Sequence, residues 1–138
     1  MPGTILVVDD SAATRILINA KLTAAYYDVV EASDGAEALE SARLLQPDMI
    51  LIDYRMPGLD GVETTRRLKA APETAHIPVV MLTADADRQS RLRGLEAGCD
   101  DLLVKPFDDT ALLARVRSLT RMRMLLDELR SRALKALP

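Results

Sequence analysis

Four apolar runs in this 138-residue chain end abruptly in a polar residue: Val8 leads to Asp9 and Asp10, Ile52 to Asp53, Leu82 to Thr83, and Val104 to Lys105. If those runs are parallel strands, their ends share one sheet edge, where ligands bind in the crevice at which strand order reverses. The five side chains should therefore converge. Three carboxylates within a few ångströms repel one another, so they must share protons or hold a cation. The candidate ligands are all oxygens and no histidine is near them, a donor set that favours Mg²⁺ over zinc. An ammonium such as Lys105 facing that ion is useful chiefly when an anion lies between them, and a phosphoryl group is the anion that fits. A carboxylate is a competent nucleophile in phosphoryl transfer, which makes Asp53 the candidate nucleophile. Lys105 and the Thr83 hydroxyl would each neutralise or hydrogen-bond one transferred oxygen. The plainer alternative is that each residue caps a helix or makes a surface pair. Any one of them fits that account, but the recurrence at four strand ends does not.

The elements that must position these residues follow from periodicity. Ile5 to Val8, Val29 to Val30, Met49 to Ile52, Val79 to Leu82 and Leu102 to Val104 are short apolar runs and are predicted as strands. Between them Ala12 to Ala24, Ala36 to Leu45, Val62 to Ala70, Arg88 to Ala97 and Thr110 onward carry apolar residues at helical spacing. Strands without polar alternation are covered on both faces, and their alternation with helices makes the sheet parallel with right-handed crossovers. The fold class is therefore α/β, a doubly wound five-stranded parallel sheet. Asp34 with Glu37 is spaced for a capping box, and Pro57, Gly58 and Gly61 break the chain after the third strand. Only the C-terminal residues, about 121–138, exceed what this one domain needs.

Composition excludes several function classes. Hydrophobic residues at 49% and charged residues at 28% describe a chain able to bury one continuous core. A net charge of −3 argues against direct nucleic-acid binding by whole-surface attraction. No apolar run approaches the roughly 18 residues needed to span a bilayer, so no membrane partner is expected. Cys99 is the only cysteine. It permits no internal disulfide, reads as a half-buried packing thiol, and makes a reducing cytoplasm the easiest location. His76 has no second ligand nearby and is expected to be solvated or to cap. Of Tyr26 and Tyr27, one ring should cover the core edge.

Ile5-Leu6-Val7-Val8-Asp9-Asp10, Asp53-Tyr54-Arg55-Met56-Pro57-Gly58-Leu59-Asp60-Gly61, Thr83-Ala84 and Lys105-Pro106-Phe107 together resemble the receiver domains of two-component response regulators. Each motif alone is weak, whereas all four in this order are specific; the likeness covers residues 4 to about 120. It implies a flavodoxin-like strand order 2-1-3-4-5. It also implies that Asp10 and Asp53 bind Mg²⁺ directly with the main-chain carbonyl of Arg55, that Asp9 assists through water, and that Asp53 accepts phosphate from a histidine kinase or phosphotransfer protein. The Lys105–Pro106 bond is implied to be cis, an isomer of low cost only before proline. One position departs: many receivers carry an aromatic residue three before the lysine, and here it is Leu102. Thr83 would then move toward the phosphate and Leu102 repack into the space it leaves.

Ala24-Ala25-Tyr26-Tyr27, Arg115-Val116-Arg117-Ser118-Leu119-Thr120-Arg121 and Asp127-Glu128-Leu129-Arg130 are similar to the first receiver of PleD-type diguanylate cyclase regulators. That likeness makes an interface the second reading of the tyrosine pair. Those proteins continue into a second receiver-like domain and a cyclase domain, so this chain is expected to be either a fragment or a stand-alone receiver without cyclase activity of its own. From Arg115 to Lys135 there are seven basic residues and two acidic ones. A solvated helix face accounts for them, but receiver dimers commonly pair acids near the fifth strand with bases of the last helix, here Asp100 and Asp101 with Arg115 and Arg117. Leu112, Val116, Leu119, Met122, Leu126, Leu129, Ala133 and Ala136 continue in steps of three and four without a break, predicting a helix to about residue 135 and a seam for a homodimer. A frayed tail is the alternative. Arg55 and Asp85, each two residues past a strand end, are expected to pair across the pocket mouth.

Three rivals remain. A single-domain phosphate shuttle would not need the long helix. An aspartyl phosphatase resembles an Asp-x-Asp pattern that Asp53-Tyr54-Arg55 lacks. A flavin carrier fails because Asp9 and Asp10 would repel the flavin phosphate.

Overall fold

The computed structural model describes residues 3–84 and 87–137. Five strands and five helices alternate: β1 Thr4–Val8, α1 Ala12–Ala24, β2 Asp28–Ala32, α2 Gly35–Leu45, β3 Met49–Asp53, α3 Gly61–Ala70, β4 Val79–Thr83, α4 Arg88–Ala97, β5 Asp101–Val104 and α5 Asp109–Lys135. The strands form one parallel sheet in the order β2-β1-β3-β4-β5. The expected elements are all present, with bounds no more than two residues from the sequence reading.

Strand residues alternate between two apolar layers. Leu6, Val8, Ile50, Ile52 and Met81 pack with Ala38, Ala42, Val62, Leu68 and Ala97 of α2, α3 and α4. Ile5, Val7, Leu51, Val80, Leu82 and Leu103 pack with Ile18 and Leu22 of α1 and Leu112 and Val116 of α5. Tyr27 is the ring that covers this second layer, while Tyr26 stands 85% exposed. Cys99 is buried, and burial pushes its thiol up to about 11, so it stays protonated at neutral pH.

Side-chain caps start the helices. Ser11, Asp34, Asp60, Asp87 and Asp108 each accept from the backbone amide three residues on, satisfying one orphan donor of the first turn. The Asp34–Glu37 box forms on one arm, with the Glu37 amide donating to Asp34 Oδ1 at 2.8 Å, while the Glu37 carboxylate accepts instead from Ser33 Oγ at 3.2 Å. The Lys105–Pro106 peptide bond is cis.

Two long side chains tie elements together at the edge where the strands begin. Lys69 Nζ donates to Ile77 O at 2.7 Å and to Asp100 Oδ2 at 2.9 Å, and Asp100 also accepts from the Val79 amide at 2.8 Å. Arg123 Nη1 donates to Pro47 O at 2.8 Å and fixes the direction in which α5 leaves the sheet. Thr120 is the last buried residue of that helix, which then runs on to Lys135 as one uninterrupted rod. No helix among the described residues is long and apolar enough to cross a membrane.

Candidate functional site

Where β1, β3, β4 and β5 end, the chain passes from apolar strand to polar turn on one edge, because parallel pairing aligns those ends. Val8 faces Ile52, Asp53 faces Leu82, and Thr83 faces Val104. The turns are stitched by backbone bonds: Tyr54 N donates to Leu82 O at 2.8 Å and Lys105 N to Thr83 O at 2.7 Å. After β3, Gly61 N donates to Tyr54 O at 3.1 Å, so the first turn of α3 lies directly against the segment carrying Asp53.

Asp9, Asp10 and Asp53 each place a carboxylate oxygen within 4.8 Å of the other two. Asp9 is buried, Asp53 half-buried and Asp10 exposed. Lys105 Nζ donates to Asp53 Oδ1 at 3.0 Å and lies 3.8 Å from Asp9 Oδ2. The carboxyl of Asp53 is raised above its ordinary value, chiefly by burial; the Lys105 bond and charge oppose this, and the charges of Asp9 and Asp10 add to it. One ammonium thus faces three acids, which leaves the cluster short of positive charge.

Asp9 offers this cluster an oxygen that a cation could take. Its Oδ1 accepts from the Ser11 amide at 2.9 Å, whereas Oδ2 is buried without a hydrogen-bond partner among the described residues. A buried carboxylate oxygen with no hydrogen bond, 3.8 Å from one ammonium and beside two other carboxylates, is costly unless a cation completes it. Three oxygens with an open, water-accessible side suit a hard divalent ion such as Mg²⁺, which keeps several waters. Thr83 is buried at the end of β4 on the same edge. Arg55 is exposed two residues past Asp53. Asp85, expected opposite it, lies outside the described residues.

The acids of the β5 region make their contacts within the chain. Arg115 Nε lies 3.1 Å from Asp101 Oδ2, and Asp100 is engaged by Lys69. His76 is exposed, and burial followed by the charge of Arg123 holds its imidazole below the ordinary value.

Sequence reasoning missed Arg15. Its side chain is 18% exposed and reaches from α1 to Asp9 O and Glu31. The available signal was its place on the inward face of α1, three and seven residues before buried Ile18 and Leu22.

The response regulator receiver domain family matches residues 5–117. The response regulator PleD of Caulobacter vibrioides is 54% identical over 132 residues, 96% of this chain and 29% of PleD. The DNA-binding dual master transcriptional regulator RpaA of Synechocystis is 44% identical over 117 residues, 85% of this chain and 48% of that protein. The chain thus spans half or less of the length of these relatives. Among solved structures, a putative response regulator from Chloroflexus aurantiacus is similar at a TM-score of 0.83 and 36% identity, covering 88% of this chain and 99% of that one. The receiver domain of the sensor histidine kinase PA1611 from Pseudomonas aeruginosa, solved with a magnesium ion coordinated in its active-site cleft, is similar at a TM-score of 0.81 and 34% identity, covering 87% of this chain and 98% of that one.

Proposed function

The chain belongs to the response regulator receiver domain family, and from that premise we propose that Asp53 is its phospho-acceptor, served by Lys105, Thr83 and a Mg²⁺ site of Asp9, Asp10, Asp53 and the main-chain carbonyl of Arg55. The observation that carries this reading is the meeting of three carboxylates and one ammonium on a single sheet edge. The donor is a phosphohistidine of a kinase or phosphotransfer protein. A carboxylate oxygen of Asp53 forms the new P–O bond as the donor's P–N bond breaks and the imidazole leaves. Lys105, already on Asp53 Oδ1, holds the carboxylate toward its ionised form and then neutralises one phosphoryl oxygen. The Thr83 hydroxyl takes another. Mg²⁺, when bound, supplies the remaining charge neutralisation that three acids and one lysine lack. A cytoplasmic location fits a kinase partner.

Titrating Mg²⁺ into the protein and into Asp10→Asn tests the metal assignment. Asp10 is the exposed member of the cluster, so its loss should leave the fold intact while weakening binding by about tenfold, about 1.4 kcal/mol, because the charge count of the ligands tunes divalent-cation affinity. Equal binding by both proteins would remove the assignment.

The fold of the receiver closes near Thr120, and residues 121–138 serve as the connection to an output region, for which a diguanylate cyclase is the first candidate given the likeness to PleD. Met122, Leu126 and Leu129 are 54%, 55% and 60% exposed along one stripe of α5 beyond the sheet. This supports a homodimer seam that phosphorylation strengthens, extended by the face of β5. Replacing Leu126 and Leu129 by Ser should lower dimer affinity and helix content, read by sedimentation and circular dichroism. Unchanged association after that substitution would refute the seam.

A further inference from the structure

Arg15 is the one α1 residue whose charged end reaches back to the acidic edge. Its Nη1 donates to the carbonyl oxygen of Asp9 at 2.7 Å, and its Nε donates to Glu31 Oε1 of β2 at 3.0 Å. The second oxygen of Glu31 accepts from Asn19 Nδ2 at 2.9 Å, and Asn19 Oδ1 in turn accepts from Thr23 Oγ1 at 2.8 Å. The guanidinium is thus held at two points in fixed directions, which a planar fork achieves and a single ammonium does not.

The carbonyl it grips belongs to the residue whose carboxylate carries the orphaned oxygen, and Asp10 follows directly. The Asp9 carboxylate is fixed on its other oxygen by the Ser11 amide. Like charge on Asp9, Asp10 and Asp53 favours moving the turn between β1 and α1 away from Asp53, and the Arg15 bond to the Asp9 carbonyl opposes that movement. Glu31 offsets the charge of the guanidinium, so its effect on the cluster is geometric more than electrostatic.

We propose that Arg15 is a positioning residue of the magnesium site: buttressed by Glu31 and Asn19, it locks the Asp9–Asp10 peptide in the orientation that lets both acids and Asp53 share one ion. This rests on the reading of the acidic cluster as that site. Partners of metal ligands that fix ligand orientation typically change metal affinity by about 10- to 100-fold when removed. Because Glu31 acts only through Arg15, the two substitutions should not add.

The test is a calorimetric Mg²⁺ titration of the wild-type chain, Arg15→Met, Glu31→Ala and the double variant, with hydrogen exchange of the Ser11 amide measured in the metal-free proteins. Arg15→Met should weaken Mg²⁺ binding roughly tenfold, Glu31→Ala by less, and the double variant no more than Arg15→Met. The Ser11 amide should exchange faster in Arg15→Met, and at saturating Mg²⁺ phosphoryl uptake by that variant should return close to wild type. Equal affinity in wild type and Arg15→Met, or additive losses, would overturn the positioning role while leaving the metal site standing. A wild-type chain that binds no Mg²⁺ would remove the site itself and the role with it. Should Arg15→Met not fold, unchanged affinity in both Glu31→Ala and Asn19→Ala overturns the proposal equally.

Discussion

Asp53→Asn should lose phosphoryl uptake by at least about 10³-fold, the scale on which removal of a nucleophile is felt, and at the same time melt at a higher temperature than wild type in metal-free buffer at neutral pH. The two effects share one cause. In the proposed role the charge of Asp53 serves incoming phosphorus, and in the resting fold it is costly, because burial and the neighbouring Asp9 and Asp10 charges both oppose its ionisation. Its folded carboxyl lies above the ordinary value, so between the two values the folded chain holds more proton than the unfolded chain. Stability therefore falls as pH rises through that window, and above it the ionised form carries the full cost. Asn keeps the shape and an oxygen for Lys105 but carries no charge. Thermal melts from the acid side to neutrality should show wild type falling further than Asp53→Asn. Mg²⁺ should raise the wild-type melting temperature and not that of the variant. A variant less stable than wild type at neutral pH would mean that the Lys105 pair outweighs burial.

Gly61→Ala should cost roughly 2–3 kcal/mol, the upper range for forcing a methyl into a filled space. A Cβ there would overlap the Asp53 carbonyl oxygen and lie 3.0 Å from the Asp53 carbonyl carbon and from Tyr54 Cα. Backbone, not a flexible side chain, blocks it. Relief requires moving either α3 or the end of β3, and the second displaces Asp53 itself. The loss of stability should thus come with weaker Mg²⁺ binding. Gly58 provides the control: its φ of +72° disfavours a side chain, but nothing lies within 4 Å of its Cβ position. Gly58→Ala should cost about 1 kcal/mol through the left-handed backbone alone and leave the site unaffected. Denaturant midpoints and a Mg²⁺ titration on both variants separate the cases. Equal costs would show that α3 does not constrain Asp53.

What could be read from the chain divides along the range of the interaction that matters. Strands such as Val79–Thr83 declare themselves because both faces are covered and every position before the closing Thr83 is apolar, and α1 and α3 show local 3.6-residue spacing. The residues that gather at the candidate site were legible for the same reason, since a polar residue closing an apolar run is a local signal. The extension of α5 to Lys135 followed from an unbroken stripe with neither glycine nor proline. Contacts between distant elements were not legible. Nothing local marks Gly61 as the contact point between α3 and β3, or directs Arg15 to Asp9 and Glu31, or Arg123 to Pro47. Charge pattern also matched Asp101 to Arg115, and the two lie 3.1 Å apart within the chain.

Of the three carboxylates, only that of Asp53 is expected to become phosphorylated. Incubating the chain with a small acyl phosphate and Mg²⁺, reducing with borohydride and mapping the peptides reads this directly, because an aspartyl phosphate is converted to homoserine at its own position. The expected result is a mass gain of one phosphoryl group that requires Mg²⁺, with homoserine at position 53 and unmodified Asp9 and Asp10. Homoserine at position 9 or 10, or uptake that persists in Asp53→Asn, would contradict it.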